Sequence, residues 1–209
     1  MTEDDARSWL TDHCSVSRET WERLEAYIAL LFAGMTEQNL IAESTRDHVW
    51  ARHIVDSAQL LPLAQSVPGL WMDLGSGAGL PGIVVAILSD RPVMLVESRR
   101  KRIDFLEAVA DSLALSNVTV FGGRVEAVTP CASAVISARA YAPLPRLLAS
   151  AVHLADEKTL WLLPKGRNAQ NELEATRPSW QGAFHVEQSV TDSDSAVIVA
   201  TGIKQKGRR

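Results

Sequence analysis

Four glycines fall within eight residues of one short segment, and this segment constrains the fold of the 209-residue chain more than any other feature. Gly75, Gly77, Gly79 and Gly82 follow one apolar run and precede another. Glycine is required where the backbone adopts positive φ or where a ligand contacts the main chain. Pro81 suits the first turn of a helix, whose free N–H groups favour a negatively charged ligand group. The segment therefore predicts a tight strand-to-helix turn that cradles a ligand; the alternative is the same turn without a ligand.

Two registers of this segment point to different ligands. Gly77, Gly79 and Gly82 have the G-x-G-x-x-G spacing of a dinucleotide site, with Glu97 twenty residues after Gly77. The earlier register, D-x-G-x-G-x-G, begins at Asp73. A carboxylate there is badly placed beside a pyrophosphate but well placed to hold an ammonium group. S-adenosylmethionine carries an ammonium and a sulfonium, so this register favours it. The alternative for Asp73 is a plain helix or turn cap.

Short apolar runs alternate with helical patterns from residue 70 onward, which predicts a parallel sheet covered by helices on both faces. We predict strands at 70–74, 92–96, 118–121, 134–137, 159–163, 183–190 and 196–203. We predict helices at about 81–88, 99–114, 144–154 and 168–176. The loop between the last two strands is too short for a helical crossover, so these strands should pair antiparallel. This α/β architecture is that of the class I S-adenosylmethionine-dependent methyltransferase domain, an analogy that does not itself establish function.

The residues before the sheet predict a helical extension over 1–66, followed by the methyltransferase domain over 67–209. A first helix begins after Ser17, a suitable N-cap, and ends at Gly34. A second helical pattern runs from Asp47 to about Leu61, where Pro62 is expected to stop it.

Polar residues follow the second and third predicted strands, at the sheet edge where ligands bind. Glu97 closes the second strand, and an acid at that place accepts hydrogen bonds from two ribose hydroxyls. Its alternative is an ion pair with Arg99 or Arg100. Val125 and Glu126 come after the third strand, where they are expected to flank an adenine ring.

Two cationic residues follow the fourth and fifth strands. Arg139 stands where this fold usually places the residue nearest the target atom, and its rigid fork suits contact with both cofactor and nucleic acid. The alternative is an ion pair with a carboxylate such as Asp73 or Glu126, which is compatible with the first role. Lys165 is a second candidate for the catalytic centre, with an ordinary surface lysine as the alternative.

His53 and Asp56 lie three residues apart and so share one face of the second helix. They either cap the cofactor pocket or tie the helix to the sheet, and the second reading is favoured. Cys14 and Cys131 are too few for a disulfide framework or a zinc cluster, and we expect no metal site. The acidic N-terminus lacks a signal-peptide pattern and no apolar run approaches the roughly 20 residues of a membrane span, so we expect a cytoplasmic protein without a membrane partner.

Several stretches together resemble one known family. DLGSGAGLPGI, LVESRRKRIDFLEAVADSLALSNVTVFGGRVE, ISARAYAPLPRLL and LPKG are similar to segments of the small-subunit rRNA guanine-N7 methyltransferases, the RsmG or GidB family. The resemblance covers roughly residues 30–175. Gly34-Met35 replaces the family's usual Trp-Asn, and Ile41 replaces a Thr. The resemblance places cofactor contacts at Gly75, Leu80, Val125, Glu126 and Arg139.

This resemblance implies a class I methyltransferase fold with a helical extension, S-adenosylmethionine as cofactor, and methylation of N7 of guanine 527 in the 530 loop of 16S rRNA. Guanine N7 has a free lone pair and loses no proton on methylation, so no general base is needed. Catalysis should come mainly from positioning. Tyr141 is a candidate for stacking on the guanine.

The net charge of −4 argues against a nucleic-acid binder, but two basic runs modify that reading. We expect salt-sensitive binding of 16S rRNA or the 30S subunit by a monomeric protein through these runs. Their residues are Arg99, Arg100, Lys101, Arg102, Lys204, Lys206, Arg208 and Arg209. Three other functions stay open: a class I methyltransferase with another acceptor, a nicotinamide-dependent oxidoreductase, and a nucleotide-binding regulator without catalysis.

Overall fold

The computed structural model describes residues 1–207 and contains one seven-stranded sheet with helices on both faces. The strands are β1 Trp71–Leu74, β2 Val93–Glu97, β3 Val118–Gly122, β4 Val135–Ser137, β5 Leu160–Lys165, β6 Trp180–Gln188 and β7 Ala196–Gln205. The α-helices are α1 Glu3–His13, α2 Arg18–Gly34, α3 Asp56–Ala58, α4 Leu60–Leu63, α5 Gly82–Leu88, α6 Arg100–Ser112, α7 Leu144–Ala151 and α8 Ala169–Thr176. Among these residues no helix is both long and apolar enough to cross a bilayer.

The strand order is β3-β2-β1-β4-β5-β7-β6, which confirms the predicted fold class. The first five strands pair in parallel, and β7 runs antiparallel to both β5 and β6. The chain leaves β1 toward β2 on one side and later returns to β4 on the other. Because ligands bind where the strand order reverses, the carboxyl ends of β1 and β4 define the expected crevice.

Alternate residues of β1 to β5 and of β7 enter two different cores, as the period of two requires, whereas β6 is mostly exposed. Trp71 packs with the N-terminal helices and α5, whereas Met72 packs with α7 and α8 on the opposite face. Leu24 and Leu31 of α2 belong to the same core as α5. Residues 1–66 and one face of the sheet therefore share a single core, and the division at residue 66 stays a prediction.

The N-terminal region differs from the sequence expectation in two places. Helix α1 was not predicted; a reciprocal capping box between Thr2 and Asp5 begins it. The predicted second helix is a 3₁₀ turn, a π-helix over Trp50–Val55 and two short α-helices. The expectation that Pro62 stops this helix is wrong, because Pro62 lies in the first turn of α4, where a missing N–H breaks no helical hydrogen bond.

The carboxylate of Asp73 joins three elements at the crevice. Asp73 is fully buried at the third position of β1. Its Oδ1 accepts a hydrogen bond from the Ser137 hydroxyl of β4 at 2.7 Å, and its Oδ2 accepts one from the Gly82 N–H of α5 at 3.2 Å. Trp71 Nε1 donates to the same Ser137 oxygen at 2.8 Å. Burial raises the pKa of Asp73 to about 6, against hydrogen bonds that lower it.

We expect Asp73 to make the protein less stable as pH rises from about 4 to about 6. The folded chain keeps the Asp73 proton to higher pH than the unfolded chain, so the stabilising contribution present at low pH is lost through this window. Between pH 4.5 and 7, the free energy of unfolding of the wild type should fall by about 2 kcal/mol relative to that of Asp73→Asn. Because every other titratable group is the same in the two proteins, the difference between their free energies of unfolding reports the contribution of Asp73.

Thermal unfolding at the two pH values measures this difference, which corresponds to roughly 4–8 °C in Tm. Asp90→Asn is the control, because Asp90 is exposed in the loop after α5. If the Tm difference between wild type and Asp73→Asn is the same at both pH values, the buried proton is not held as described.

Candidate functional site

The turn after β1 has the left-handed backbone that its glycines predict. Gly75 has φ +66°, and a Cβ there would stand 2.5 Å from the Tyr141 ring. Gly77 has φ +58°, and its N–H donates to Glu97 Oε2 at 3.0 Å. Tyr27 of α2 donates its buried hydroxyl to the Ala78 carbonyl at 2.8 Å. The turn is therefore held by the end of β2 and by the N-terminal extension.

A cavity of 410 Å³ opens in front of this turn. Four predicted cofactor residues line it: Gly75, Glu97, Val125 and Glu126. Five other predicted cofactor residues do not line it: Arg139 faces a different cavity, and the remaining four shape the turn behind this one, namely Asp73, Gly77, Gly79 and Leu80. Asp73 caps the first turn of α5, which was the alternative reading of that residue.

Glu97 is held by backbone groups alone. Its Oε1 accepts from the N–H groups of Ser98 at 2.7 Å and Arg99 at 2.8 Å, in addition to the Gly77 contact. Neither of the ion pairs considered from the sequence forms within residues 1–207: Arg99 contacts Glu97 through its backbone N–H only, and Arg100 pairs with Asp104 at 2.9 Å. Three of the roughly four lone pairs of this buried carboxylate are therefore used, and one on Oε2 stays available for a hydroxyl donor.

A second cavity of 640 Å³ adjoins the first. Ala140 and Tyr141 line both cavities and form the wall between them. Ala140 adopts φ +53°, an unusual value for a residue with a side chain, and this conformation turns the chain directly after β4. The second cavity also contains Arg139, Lys165 and residues of the helical extension.

Arg139 lines the second cavity, not the first. Its Nη1 donates to the Arg52 carbonyl at 3.3 Å, to His53 Nδ1 at 3.2 Å and to Asp56 Oδ2 at 3.2 Å. The alternative reading, an ion pair with a carboxylate, is therefore present, but the partner is Asp56 and not Asp73 or Glu126.

The environment of His53 keeps it neutral. A guanidinium has no acceptor, so Nδ1 must accept from Arg139 and Nε2 must carry the proton that meets the Thr45 hydroxyl at 2.7 Å. Burial, and then the charges of Arg139 and Arg52, lower the pKa of His53 to about 3. His53 and Asp56 thus tie the extension to the end of β4, the reading favoured from the sequence.

Lys165 holds a loop and is not an ordinary surface lysine. Its Nζ donates to the Ala142 carbonyl at 3.2 Å and to Glu172 Oε2 at 2.8 Å. The same Glu172 oxygen accepts from the Leu144 N–H at 2.9 Å. Lys165 and Glu172 together fix the C-terminal end of the loop that carries Tyr141.

The two basic runs lie at opposite ends of the parallel strands. Arg99 and Arg102 line the first cavity, and Arg100 and Lys101 lie beside it in a groove at the start of α6. Lys204 belongs to the end of β7, which runs antiparallel to β5 and so ends beside the amino ends of the parallel strands. The structure therefore does not bring the two runs together.

The C-terminal lysines have partners where they lie. Lys204 pairs with Glu157, and Lys206 donates to the Arg177 carbonyl at 2.6 Å. Arg208 and Arg209 lie outside the described residues.

Sequence reasoning missed two arginines of the first cavity. Arg124 follows β3 and Arg146 lies in the first turn of α7; both are exposed and line the cavity. Each is an isolated basic residue, so no charge run marked it. Tyr27 was missed as well, because its place in the apolar pattern of α2 is typical of a core residue.

Gly75→Val should abolish binding of S-adenosylhomocysteine while the chain still folds. The valine side chain would occupy the position of the Tyr141 ring and would also have to adopt positive φ. Isothermal titration should show a loss of at least about 100-fold in affinity. Gly166→Ala is the control, because no heavy atom lies within 4 Å of the Cβ that it would add. Wild-type affinity in Gly75→Val would show that this cavity is not the cofactor site.

Comparison with solved structures supports the fold. An S-adenosylmethionine-dependent methyltransferase from Aquifex aeolicus matches with a TM-score of 0.61 at 11% identity, covering 81% of this chain and 98% of that chain. A glycopeptide N-methyltransferase complexed with S-adenosylmethionine matches with a TM-score of 0.58 at 12% identity, covering 71% of this chain and 93% of that one. At these identities the likeness concerns the fold alone.

Proteins of similar sequence match this chain over its whole length. A protein from Zymomonas mobilis subsp. mobilis named ribosomal RNA small subunit methyltransferase G is 52% identical over 100% of this chain and 98% of its own length. One of the same name from Sphingopyxis alaskensis is 54% identical over 94% of this chain and 85% of its own. The model of the GidB family, described as rRNA small subunit methyltransferase G, matches residues 20–197. The chain therefore belongs to the GidB family of rRNA small subunit methyltransferases.

Proposed function

We propose that this protein transfers the methyl group of S-adenosylmethionine to N7 of one guanine of 16S rRNA, guanine 527 in the 530 loop, and that it acts in the cytoplasm as a monomer. Membership of the GidB family supports an rRNA of the small subunit as the acceptor. The SAM-bound glycopeptide N-methyltransferase of the same fold supports the cofactor.

One observation carries this proposal: two cavities meet at the Ala140–Tyr141 wall, at the carboxyl ends of β1 and β4. The first has the glycine turn and the Glu97 carboxylate that suit a nucleoside with an amino-acid tail. The second is the larger and has cationic residues on its walls, which suits a nucleotide acceptor. A donor and an acceptor in these two cavities would meet at Tyr141.

The second cavity suits a reaction without proton transfer. S-adenosylmethionine, when bound, supplies a methyl group that its sulfonium already activates. The N7 lone pair of guanine would form the new bond to the methyl carbon while the S–CH₃ bond breaks and its electron pair stays on sulfur, and no proton leaves the base. His53 is no candidate base, because its Nδ1 lone pair already accepts from Arg139. The protein's contribution is therefore the alignment of donor and acceptor.

Arg139 is proposed to hold the acceptor nucleotide. Its Nε and Nη2 make no hydrogen bond within residues 1–207, whereas Nη1 is fixed by the extension. A bidentate contact to O6 and N7, the usual arginine–guanine pairing, would occupy the lone pair that must react. Arg139 should therefore contact O6 or a phosphate alone. Lys165 supports the reaction indirectly, because it holds the loop from which Tyr141 can stack on the base.

Methyl transfer from labelled S-adenosylmethionine to 16S rRNA lacking this modification tests the proposal directly. Both protein-free rRNA and 30S subunits should be offered, and the modified nucleotide mapped. We expect one 7-methylguanine at position 527. Transfer to another RNA or to a small molecule, with none to 16S rRNA, would favour the alternative acceptor class.

Arg139→Gln should lower kcat by about 10- to 100-fold, because the acceptor loses its positioning group. The affinity for S-adenosylhomocysteine should stay within about twofold of wild type, since Arg139 does not line the first cavity. Arg23→Gln, an exposed arginine of α2, is the matched control. A kcat equal to that of wild type would remove Arg139 from the catalytic centre.

The kcat of methyl transfer should be flat between about pH 6 and pH 8.5. Guanine N7 carries no proton to lose, and His53 remains neutral throughout this range because burial holds its pKa near 3. A stopped assay at saturating RNA and donor measures the profile. Because burial raises the pKa of Asp73 to about 6, the same profile is measured for Asp73→Asn; a sigmoidal rise near pH 6.5 that persists in this variant would indicate an essential titrating histidine and contradict this mechanism.

A further inference from the structure

The cofactor cavity carries more positive charge than its proposed ligand needs. Four arginines line it: Arg99, Arg102, Arg124 and Arg146. Only two carboxylates, Glu97 and Glu126, line the same cavity. Two positive charges therefore remain in excess around one ligand site.

Most of these arginines have no partner in the protein. Arg102 donates to the Asn39 carbonyl at 3.3 Å. The side chains of Arg99, Arg124 and Arg146 make no ion pair and no hydrogen bond within residues 1–207, and all three are exposed. The Glu97 carboxylate, which accepts from three backbone N–H groups, does not pair with any of them.

The chemistry of the methyl donor does not account for this charge. S-adenosylmethionine has one carboxylate, which one arginine can bind, and it has two cationic groups, the ammonium and the sulfonium. It is a net cation, so each additional guanidinium opposes its binding. The exposed guanidinium groups that the donor's carboxylate does not use are free to receive another anion.

We propose that Arg124 and Arg146 bind phosphates of the RNA across the mouth of the cofactor cavity, and that the RNA thereby strengthens binding of the cationic methyl donor. The inference rests on the proposed function. Both arginines lie on the first cavity, and Tyr141 separates that cavity from the second cavity. We call the second cavity the acceptor cavity, and Arg124 and Arg146 the rim of the cofactor cavity. An RNA strand with one base in the acceptor cavity would have its neighbouring phosphates next to this rim. Flexible, exposed arginines are suited to such backbone contacts.

Phosphates at the rim couple the two ligands through charge. They neutralise the guanidinium groups, which removes the repulsion that the donor meets in the free protein. By reciprocity, the donor strengthens RNA binding by the same factor. S-adenosylhomocysteine has lost the sulfonium charge and is neutral overall, so its coupling to RNA should be weaker. Methyl transfer itself would then loosen the complex and favour release of both products.

Binding of sinefungin, a cationic donor analogue, tests the inference first without RNA. Arg124→Gln and Arg146→Gln should leave sinefungin affinity unchanged or raise it about two- to threefold at low salt, because each removes a repelling charge. Arg23→Gln is the matched control. A loss of more than about threefold in either variant would show that the arginine binds the donor's carboxylate and would overturn its assignment to RNA.

Binding of 16S rRNA at several salt concentrations is the second measurement. The Arg124→Gln/Arg146→Gln double variant should bind the RNA more weakly than wild type. Its plot of log K against log salt concentration should be shallower by about 1.5, because two phosphate contacts are lost. Wild-type affinity and slope in the double variant would overturn the proposal. In the wild type, RNA should raise the affinity for sinefungin more than that for S-adenosylhomocysteine; equal factors would overturn the coupling.

These measurements separate failure of this inference from failure of the proposed function. The sinefungin titration needs no RNA and no turnover. A wild type that binds sinefungin but neither binds nor methylates 16S rRNA would refute the proposed function and, with it, the RNA assignment. If the wild type methylates guanine 527 and the Arg124→Gln/Arg146→Gln double variant binds RNA as the wild type does, only the assignment of these two arginines to RNA is refuted.

Discussion

The hydrogen bonds of the buried Asp73 carboxylate join β1, β4 and α5 at the one point where the sheet reverses its strand order. A buried carboxylate is costly unless its oxygens are satisfied, and here a hydroxyl and a helix N–H satisfy them. The glycine turn lies between the two ends that Asp73 connects, and Arg139 follows Ser137 by two residues. Both cavities therefore depend on this one group for the relative position of their walls.

The N-terminal extension takes part in the site as well as in the core. Tyr27 holds the glycine turn through the Ala78 carbonyl, and His53 and Asp56 hold Arg139. The loop between β6 and β7 closes the same region, because the Thr191 hydroxyl donates to Asp56 at 3.2 Å. The second cavity is thus assembled from both ends of the chain, and loosening the extension would disturb its walls before it disturbed the sheet.

Local patterns predicted the sheet well and the N-terminal helices less well. Strand positions follow from apolar runs and turn residues, which depend on neighbours in sequence, and β1 to β5 lie where the sequence predicts them. Helix α1 was missed because its polar composition hid a capping box. The π-helix over Trp50–Val55 is set by contacts that no local pattern reports, including the Glu3 carboxylate that accepts from the N–H groups of Trp50 and Ala51.

The glycine spacing, the acid at residue 73 and the strand–helix alternation were enough to predict a methyltransferase fold with a left-handed turn after β1, because backbone conformation at glycines and the positions of strands follow from local chemistry. The sequence did not show which charged side chains pair with one another. Arg139 pairs with Asp56 across 83 positions of the chain, and Arg124 and Arg146 reach one cavity from separate segments. Electrostatic contacts of this kind depend on distance in space, so only the folded arrangement decided which charges are paired and which are left for a ligand.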